Sequence, residues 1–309
     1  MPEEASLYAI PGLSGVWVVE DITRNSFFIY KVKKVLEYVR SKYQEICVTD
    51  THDFGLALML DGRVQFTERD EAVYHESLVH PVMLAHESPE RVLIVGGGDG
   101  LALREVLKHS CVKRAELVDL DEAVIEVCRR HFRKILKGAF EDSRVRVHIS
   151  DGRLFLEKAP QNHYDVVVLD LTDPLGGGPE KLLYTVEFYK LVRRVLKEGG
   201  LMATQATSPF YPKVFGSIVK TVKEVFPSVS YHLAFVPSYS LPWAFVVAGE
   251  ELPELTAEEA AKRLKERGVS LRYFSPEIIA SLRAWATSPK LARMVEEAKV
   301  ATDASPLPH

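Results

Sequence analysis

Cysteine is scarce in this 309-residue chain: Cys47, Cys111 and Cys128 form an odd set with no CxxC pair and no metal-ligand spacing. That argues against a disulfide scaffold or a thiolate zinc site and leaves the three as small packing residues. The 10 histidines are scattered, without an HExxH motif or a His-rich cluster, so no metal is expected. No apolar run approaches the roughly 20 residues of a membrane span, and the acidic Met1-Pro-Glu-Glu is not followed by an apolar stretch. The expectation is a cytoplasmic protein with no signal peptide and no membrane partner. A net charge of -4 and the lack of a long basic run remove the general attraction to nucleic acid, which is not expected as a partner. Internal repeats and low-complexity segments are also missing.

What is present is 47% hydrophobic residues, enough for one large core and a smaller appended domain. The chain is organised around Arg91-Val-Leu-Ile-Val-Gly-Gly-Gly-Asp-Gly-Leu-Ala-Leu-Arg-Glu-Val-Leu-Lys108. Val92 to Val95 read as a strand buried on both faces, the glycines as a tight turn, and the rest as a helix. Glycine lets a ligand approach the backbone beside the free N–H groups of a helix start, as in nucleotide-binding folds. A second strand, Ala115 to Leu120, brings Asp119 about twenty residues beyond the loop, where a carboxylate accepts from ribose hydroxyls. Asp121 directly precedes a helical run and suits the N-cap, which leaves Asp119 for the ribose. Asp99 is out of place in a loop for pyrophosphate, because like charges repel in a partly desolvated turn. It suits a cationic nucleoside, an adenosine bearing a sulfonium and an amino tail.

From Leu7 to about Gln65 the pattern favours strands, at 16–19, 27–32, 43–48 and 56–60, with an Asp61-Gly62 turn before Arg63-Val-Gln65. Lys31 to Arg40 fits strand or helix equally. A helix start follows at Asp70, with polar groups around Tyr74 and His75. The boundary is placed near Pro81, giving a small antiparallel β domain over 1–80 and an α/β domain over 81–309.

Beyond the glycine loop, strands and helices alternate, with further strands at 145–150 and 164–171, which predicts a mostly parallel sheet covered by helices. Its strand ends supply Gly96 to Gly100, Asp119, Asp151 and Asp170, and ligands in such sheets gather at these ends. The segment Asp170-Leu-Thr-Asp-Pro-Leu-Gly-Gly-Gly-Pro-Glu-Lys-Leu-Leu-Tyr184 starts at the same place and reads as a lid. A helix at 186–197, a strand at 201–206, a helix at 213–225, and two close strands at 229–236 and 244–248 come next. Helices are expected over 256–267 and 276–293; the tail from Ala301 has no functional reading.

With these residues in view the chain resembles the polyamine aminopropyltransferases, which include spermidine and thermospermine synthases. The resemblance runs from Tyr43-Gln44 through Leu60-Asp61-Gly62, Gln65, Asp70-Glu71, Tyr74-His75-Glu76, Gly96-Gly-Gly-Asp-Gly100, Arg104-Glu-Val106, Asp170 and Asp173-Pro174 to Trp243. It implies a methyltransferase-like Rossmann domain with a mostly parallel seven-stranded sheet, a small N-terminal antiparallel β domain, and a homodimer or homotetramer. It also implies that Gln44, Gln65 and Asp119 hold the ribose and thioether region beside Gly96 and Gly98, and that Asp151 and Gly152 hold the adenine. Asp99 and Asp170 would take the aminopropyl ammonium of decarboxylated S-adenosylmethionine, a co-substrate rather than a cofactor. Tyr74, His75, Asp173, Gln205, Tyr239 and Trp243 would line the site of the acceptor amine, with Asp170 as base and orienter and Tyr74 assisting.

The chain departs from the family pattern at Leu101, where glycine is common, at Leu171, where serine is common, at Thr207, where glutamate is common, and at Leu241-Pro242, where many members have glycine. These bear on the acceptor more than on the reaction. The lid resembles that of thermospermine synthases and is longer than in typical spermidine synthases, and loss of an acid at Thr207 would make room for a longer amine. The expected reaction is therefore aminopropyl transfer to spermidine, giving thermospermine and methylthioadenosine. The alternatives are a spermidine synthase acting on putrescine or agmatine, an S-adenosylmethionine-dependent methyltransferase, and a non-catalytic polyamine-binding protein.

Overall fold

The computed structural model describes residues 14–23, 25–175 and 178–308; the expected strand residues before 14 and the lid glycines 176 and 177 lie outside these. Strands β1 (Val16–Thr23), β2 (Ser26–Arg40), β3 (Glu45–Thr51), β4 (Gly55–Leu60) and β5 (Arg63–Thr67) pair in sequence order as a five-stranded antiparallel sheet. The Asp61-Gly62 turn has φ of 48° and 75°, the doubly left-handed geometry that a tight hairpin requires and that this dipeptide tolerates. Lys31 to Arg40, ambiguous by pattern, is the second half of β2, because β3 pairs with it from Thr51 to Glu45.

Helix α1 (Glu71–Ala85) is buried along its whole length, polar residues included, and runs unbroken past Pro81. The boundary expected at residue 80 falls inside it. Its charged side chains are satisfied internally. The Arg104 guanidinium donates to both Glu71 oxygens at 2.9 and 2.7 Å, and His80 lies 2.8 Å from Glu105. Burial alone would raise the pKa of Glu71, but hydrogen bonds from His75 and Arg104 hold it well below the usual carboxylate range.

The α/β domain supplies β6 (Arg91–Gly96), β7 (Arg114–Asp119), β8 (Val145–Ile149), β9 (Tyr164–Asp170), β10 (Leu196–Gln205), β11 (Ser228–Val236) and β12 (Leu241–Gly249). They form a seven-stranded sheet in the order β11-β12-β10-β9-β6-β7-β8, parallel except for β12, which is antiparallel to both its neighbours. The first three strands step one way from β6 and β9 returns to its other side. The strand order thus reverses between β6 and β9, the place where such sheets open a ligand crevice.

Helices α2 (Leu101–Leu107), α3 (Glu122–His131), α4 (Arg133–Leu136), α5 (Gly152–Lys158), α6 (Val186–Val195) and α7 (Pro212–Val225) belong to the crossovers and flanks. The carboxyl-terminal part holds α8 (Ala257–Glu266), α9 (Pro276–Ser281) and α10 (Pro289–Glu297). The single helix expected over 276–293 is divided: a 3-10 segment (Leu282–Thr287) follows α9, and Pro289, which has no N–H to donate, starts a new helix. The tail packs rather than trails. Ala301 and Leu307 are buried with residues of α6 and α7, and Ala301 N–H donates to Thr221 Oγ1 at 2.8 Å.

Candidate active site

The reversal point is closed by backbone. Gly96 pairs with Asp170 across the sheet, and Gly97 N–H donates to the Asp170 carbonyl at 2.9 Å. A Cβ on Gly96 would sit 2.1 Å from that carbonyl oxygen, and one on Gly98 would sit 2.7 Å from Asp119 Oδ2. The first and third glycines are therefore steric requirements of strand ends meeting. Gly98 N–H donates to Asp119 Oδ2 at 2.8 Å and Asp121 N–H to its Oδ1 at 2.9 Å, so Asp119 is fixed at the mouth of the loop. Burial, with help from neighbouring acids and against those two bonds, pushes it up to about 6.

Around this loop lies a cavity of about 480 Å³ that receives residues from both domains. Gln44, Gln65, Tyr74, His75, Gly96, Gly98, Asp99, Asp119, Asp151, Gly152, Asp170, Asp173, Gln205, Tyr239 and Trp243, the whole expected set, are on its wall. Local structure explains most of these positions. Asp121 caps α3 through Ala123 N–H at 3.1 Å, while its other oxygen accepts from Gln44 Nε2 at 2.9 Å and Ser41 Oγ at 2.6 Å. The turn between β2 and β3 is thereby tied to the nucleoside side. Asp151 caps α5 through Leu154 N–H at 2.9 Å, and a Cβ on Gly152 would meet Val95 Cγ1 at 2.4 Å.

Asp170 is the chemical centre. Tyr74 OH donates to its Oδ1 at 3.0 Å, and its Oδ2 is buried without a protein partner. Burial and then the nearby Asp99 charge push Asp170 up to about 7, although His75 and Tyr74 pull the other way. His75 Nδ1 lies 2.7 Å from the Glu71 carbonyl, so it carries a proton, and Nε2 faces Asp99 at 3.8 Å. Burial alone would lower its pKa, but the Asp99 and Glu71 carboxylates raise it to about 10. His75, Asp99 and Asp170 bring possible ligand atoms within 4.8 Å of one another.

The family signals follow the same division of the chain. A model of the spermidine synthase tetramerisation domain matches residues 16–68, and a model of the spermine/spermidine synthase domain matches 71–259. The chain belongs to the spermidine synthase family. It is a polyamine aminopropyltransferase, similar to proteins of that name from Pyrobaculum neutrophilum, at 44% identity over 84% of this chain and 90% of the relative, and from Sulfurisphaera tokodaii, at 39% over 94% and 97%. The fold agrees with a spermidine synthase crystallised with the transition-state analogue AdoDATO, with TM-score 0.82, 32% identity, and coverage of 94% of this chain and 99% of that one. The spermidine synthase of Thermotoga maritima gives TM-score 0.81 and 30% identity over 94% and 98%.

Two neighbouring positions singled out in the sequence are tied to each other and to the lid. Gln205 uses its amide to hold the lid: Nε2 donates to Leu171 O at 3.1 Å and Tyr184 OH at 2.6 Å, and Oε1 accepts from Thr207 N–H at 2.8 Å. Thr207 itself is fully buried at φ 56°, and its short side chain is not on the cavity wall.

Glu20, Arg63 and Tyr211 were missed. Glu20 comes from β1, accepts from Tyr30 OH at 3.1 Å, and is pushed up to about 7 by burial, partly offset by that bond and by Arg63. β1, Val-Trp-Val-Val-Glu-Asp-Ile-Thr, has no polar/apolar alternation to mark a face, and nothing local shows that Glu20 shares a cavity with the lid residue Asp173. The tail was also unread. Asp303 accepts from Thr185 Oγ1 at 2.7 Å and from Arg153 Nη1 at 2.8 Å, bracing the end of the lid against α5.

Proposed function

We propose that the donor is decarboxylated S-adenosylmethionine and that the acceptor is a triamine such as spermidine, with thermospermine as the product. Gln44, Gln65, Asp119, Asp151 and Gly152 take the nucleoside, Gly96 and Gly98 allow its close approach, and Asp99 with Asp170 takes the amino tail. Tyr74, His75, Asp173, Gln205, Tyr239 and Trp243 border the acceptor, with Gln205 acting by holding the lid. The observation that supports the long acceptor best is a second acidic group away from the glycine loop. Asp173 Oδ1 is buried without a partner, and burial pushes Asp173 up to about 7, with Arg63 opposing and Glu180 adding to the rise. Glu20 borders the same cavity. These are acids waiting for cations.

In the reaction, the lone pair of the acceptor nitrogen attacks the methylene carbon bound to sulfur. The carbon–sulfur bond breaks with its electrons going to sulfur, releasing neutral methylthioadenosine, and the nitrogen proton passes to Asp170. The leaving group needs no acid. An alkylammonium near pKa ~10.4 lies about six units above an ordinary carboxylate, a gap of roughly 8 kcal/mol. With Asp170 at about 7 the gap falls to about three units, roughly 4 kcal/mol, and the donor sulfonium lowers the amine further. Positioning supplies the remainder.

No metal or cofactor enters this reading, and undiminished turnover in a chelator checks that. A cytoplasmic homo-oligomer completes it. The family model over 16–68 is a tetramerisation domain, the sheet there exposes Phe27, Ile29, Val35 and Tyr38, and no helix among the described residues is long and apolar enough to cross a membrane. The acceptor is tested by initial rates at equal putrescine and spermidine concentrations, with chromatography that separates spermine from thermospermine. Faster reaction with putrescine defeats the triamine, and spermine as the main product defeats the choice of attacking end.

A further inference from the structure

The cavity wall is rich in carboxylates, yet it carries a guanidinium at the end proposed for the acceptor. Arg63 opens β5 directly after the Asp61-Gly62 turn and lines the cavity with Glu20, Asp173 and Tyr211. Among the described residues, its guanidinium has no ion-pair partner within 4.0 Å and no hydrogen-bond acceptor. Arg153, the other arginine on the wall, is by contrast tied to Asp303, and no described lysine lines the cavity. A half-buried arginine left unpaired in a site for cations is unfavourable both for itself and for the ligand, so its presence calls for a role. Its field acts on the two acids around it, opposing in both the rise that burial causes.

We propose that Arg63 is a specificity residue that limits how much positive charge the far end of the acceptor site accepts. The inference rests on the reading that the end of the acceptor remote from the attacking nitrogen reaches Glu20 and Asp173. With both acids ionised, Arg63 leaves that end with a single net negative charge, which one ammonium neutralises. A second ammonium is then uncompensated and meets the guanidinium. The transfer adds its new ammonium on the side of the attacking nitrogen, so the far end carries the extra charge only when the product binds again as a longer acceptor. Arg63 therefore disfavours rebinding of the product and a second transfer to it.

The test uses the full-length enzyme with butylamine, putrescine and spermidine as acceptors and the purified tetraamine product as inhibitor. Wild type is compared with Arg63→Gln and, as the charge-conserving control, Arg63→Lys. Removing the charge is expected to lower KM for spermidine about fivefold and tighten inhibition by the tetraamine at least as much, while KM for butylamine and for the sulfonium donor stays within about twofold. Arg63→Lys should behave as wild type. Arg63→Leu serves the same comparison if the glutamine variant does not fold. An equal change for butylamine and spermidine, an increase of KM for spermidine, or a lysine variant that matches the neutral ones overturns the proposal. The order of putrescine and spermidine in wild type tests the triamine reading separately, because the Arg63 effect is read as a variant-to-wild-type ratio for each amine.

Discussion

Tyr74 OH donates to Asp170 Oδ1 at 3.0 Å, while Asp170 Oδ2 remains buried and unpartnered. One oxygen is oriented from a buried helix packed on the seven-stranded sheet, and the other is left for the reacting amine. Because the tyrosine bond favours the carboxylate, it restrains a pKa that burial and Asp99 drive upward.

Tyr74→Phe should therefore raise the pKa of Asp170 further. The higher pKa makes Asp170 a stronger base, so a fall in kcat, expected at about tenfold, measures the loss of orientation at Oδ1. The acidic limb of kcat/KM should move to higher pH in the same variant. A fall in kcat with an unmoved limb would assign Tyr74 to positioning alone.

Asp99 concerns the choice of donor. Its carboxylate and that of Asp170 lie where the amino tail is placed, so they favour an ammonium and repel the carboxylate that S-adenosylmethionine adds. Wild type should bind the decarboxylated donor more tightly, and Asp99→Asn should narrow the preference by about tenfold, some 1.4 kcal/mol. Calorimetry of both ligands against both proteins measures this, and equal affinities for wild type would sink the electrostatic account.

Asp170 should also leave a mark on stability. Its folded pKa of about 7 is above its ordinary 3.8, so the folded state holds the proton more tightly than the unfolded chain. The associated stability is fully present below about pH 4 and lost as pH rises through about 7. Asp170→Asn cannot ionise, keeps an oxygen for Tyr74, and should be more stable than wild type above pH 7 by up to about 4 kcal/mol. The difference should vanish near pH 4. Denaturant melts at both pH values check the sign; an Asn variant less stable at pH 8 than wild type contradicts it.

The glycine loop and the acidic strand ends were legible in the sequence because each is a local pattern: an apolar run, a turn residue, a carboxylate. Asp121 was assigned to its helix cap by the same local logic, and Ala123 N–H confirms it. Lys31 to Arg40 was not legible, because its partner β3, not its own periodicity, makes it a strand. Glu20 and Arg63 reach the site, and Asp303 reaches Arg153 on its wall, only through tertiary closure, and no spacing encodes that.

The most direct measurement of the central claim is methylthioadenosine release by Asp170→Asn with saturating decarboxylated S-adenosylmethionine and spermidine, alongside calorimetry of methylthioadenosine binding. If Asp170 accepts the proton and orients the amine, kcat falls at least about a hundredfold, some 2.7 kcal/mol, while nucleoside affinity stays within about threefold. Turnover above about a tenth of wild type would contradict an essential base at this position.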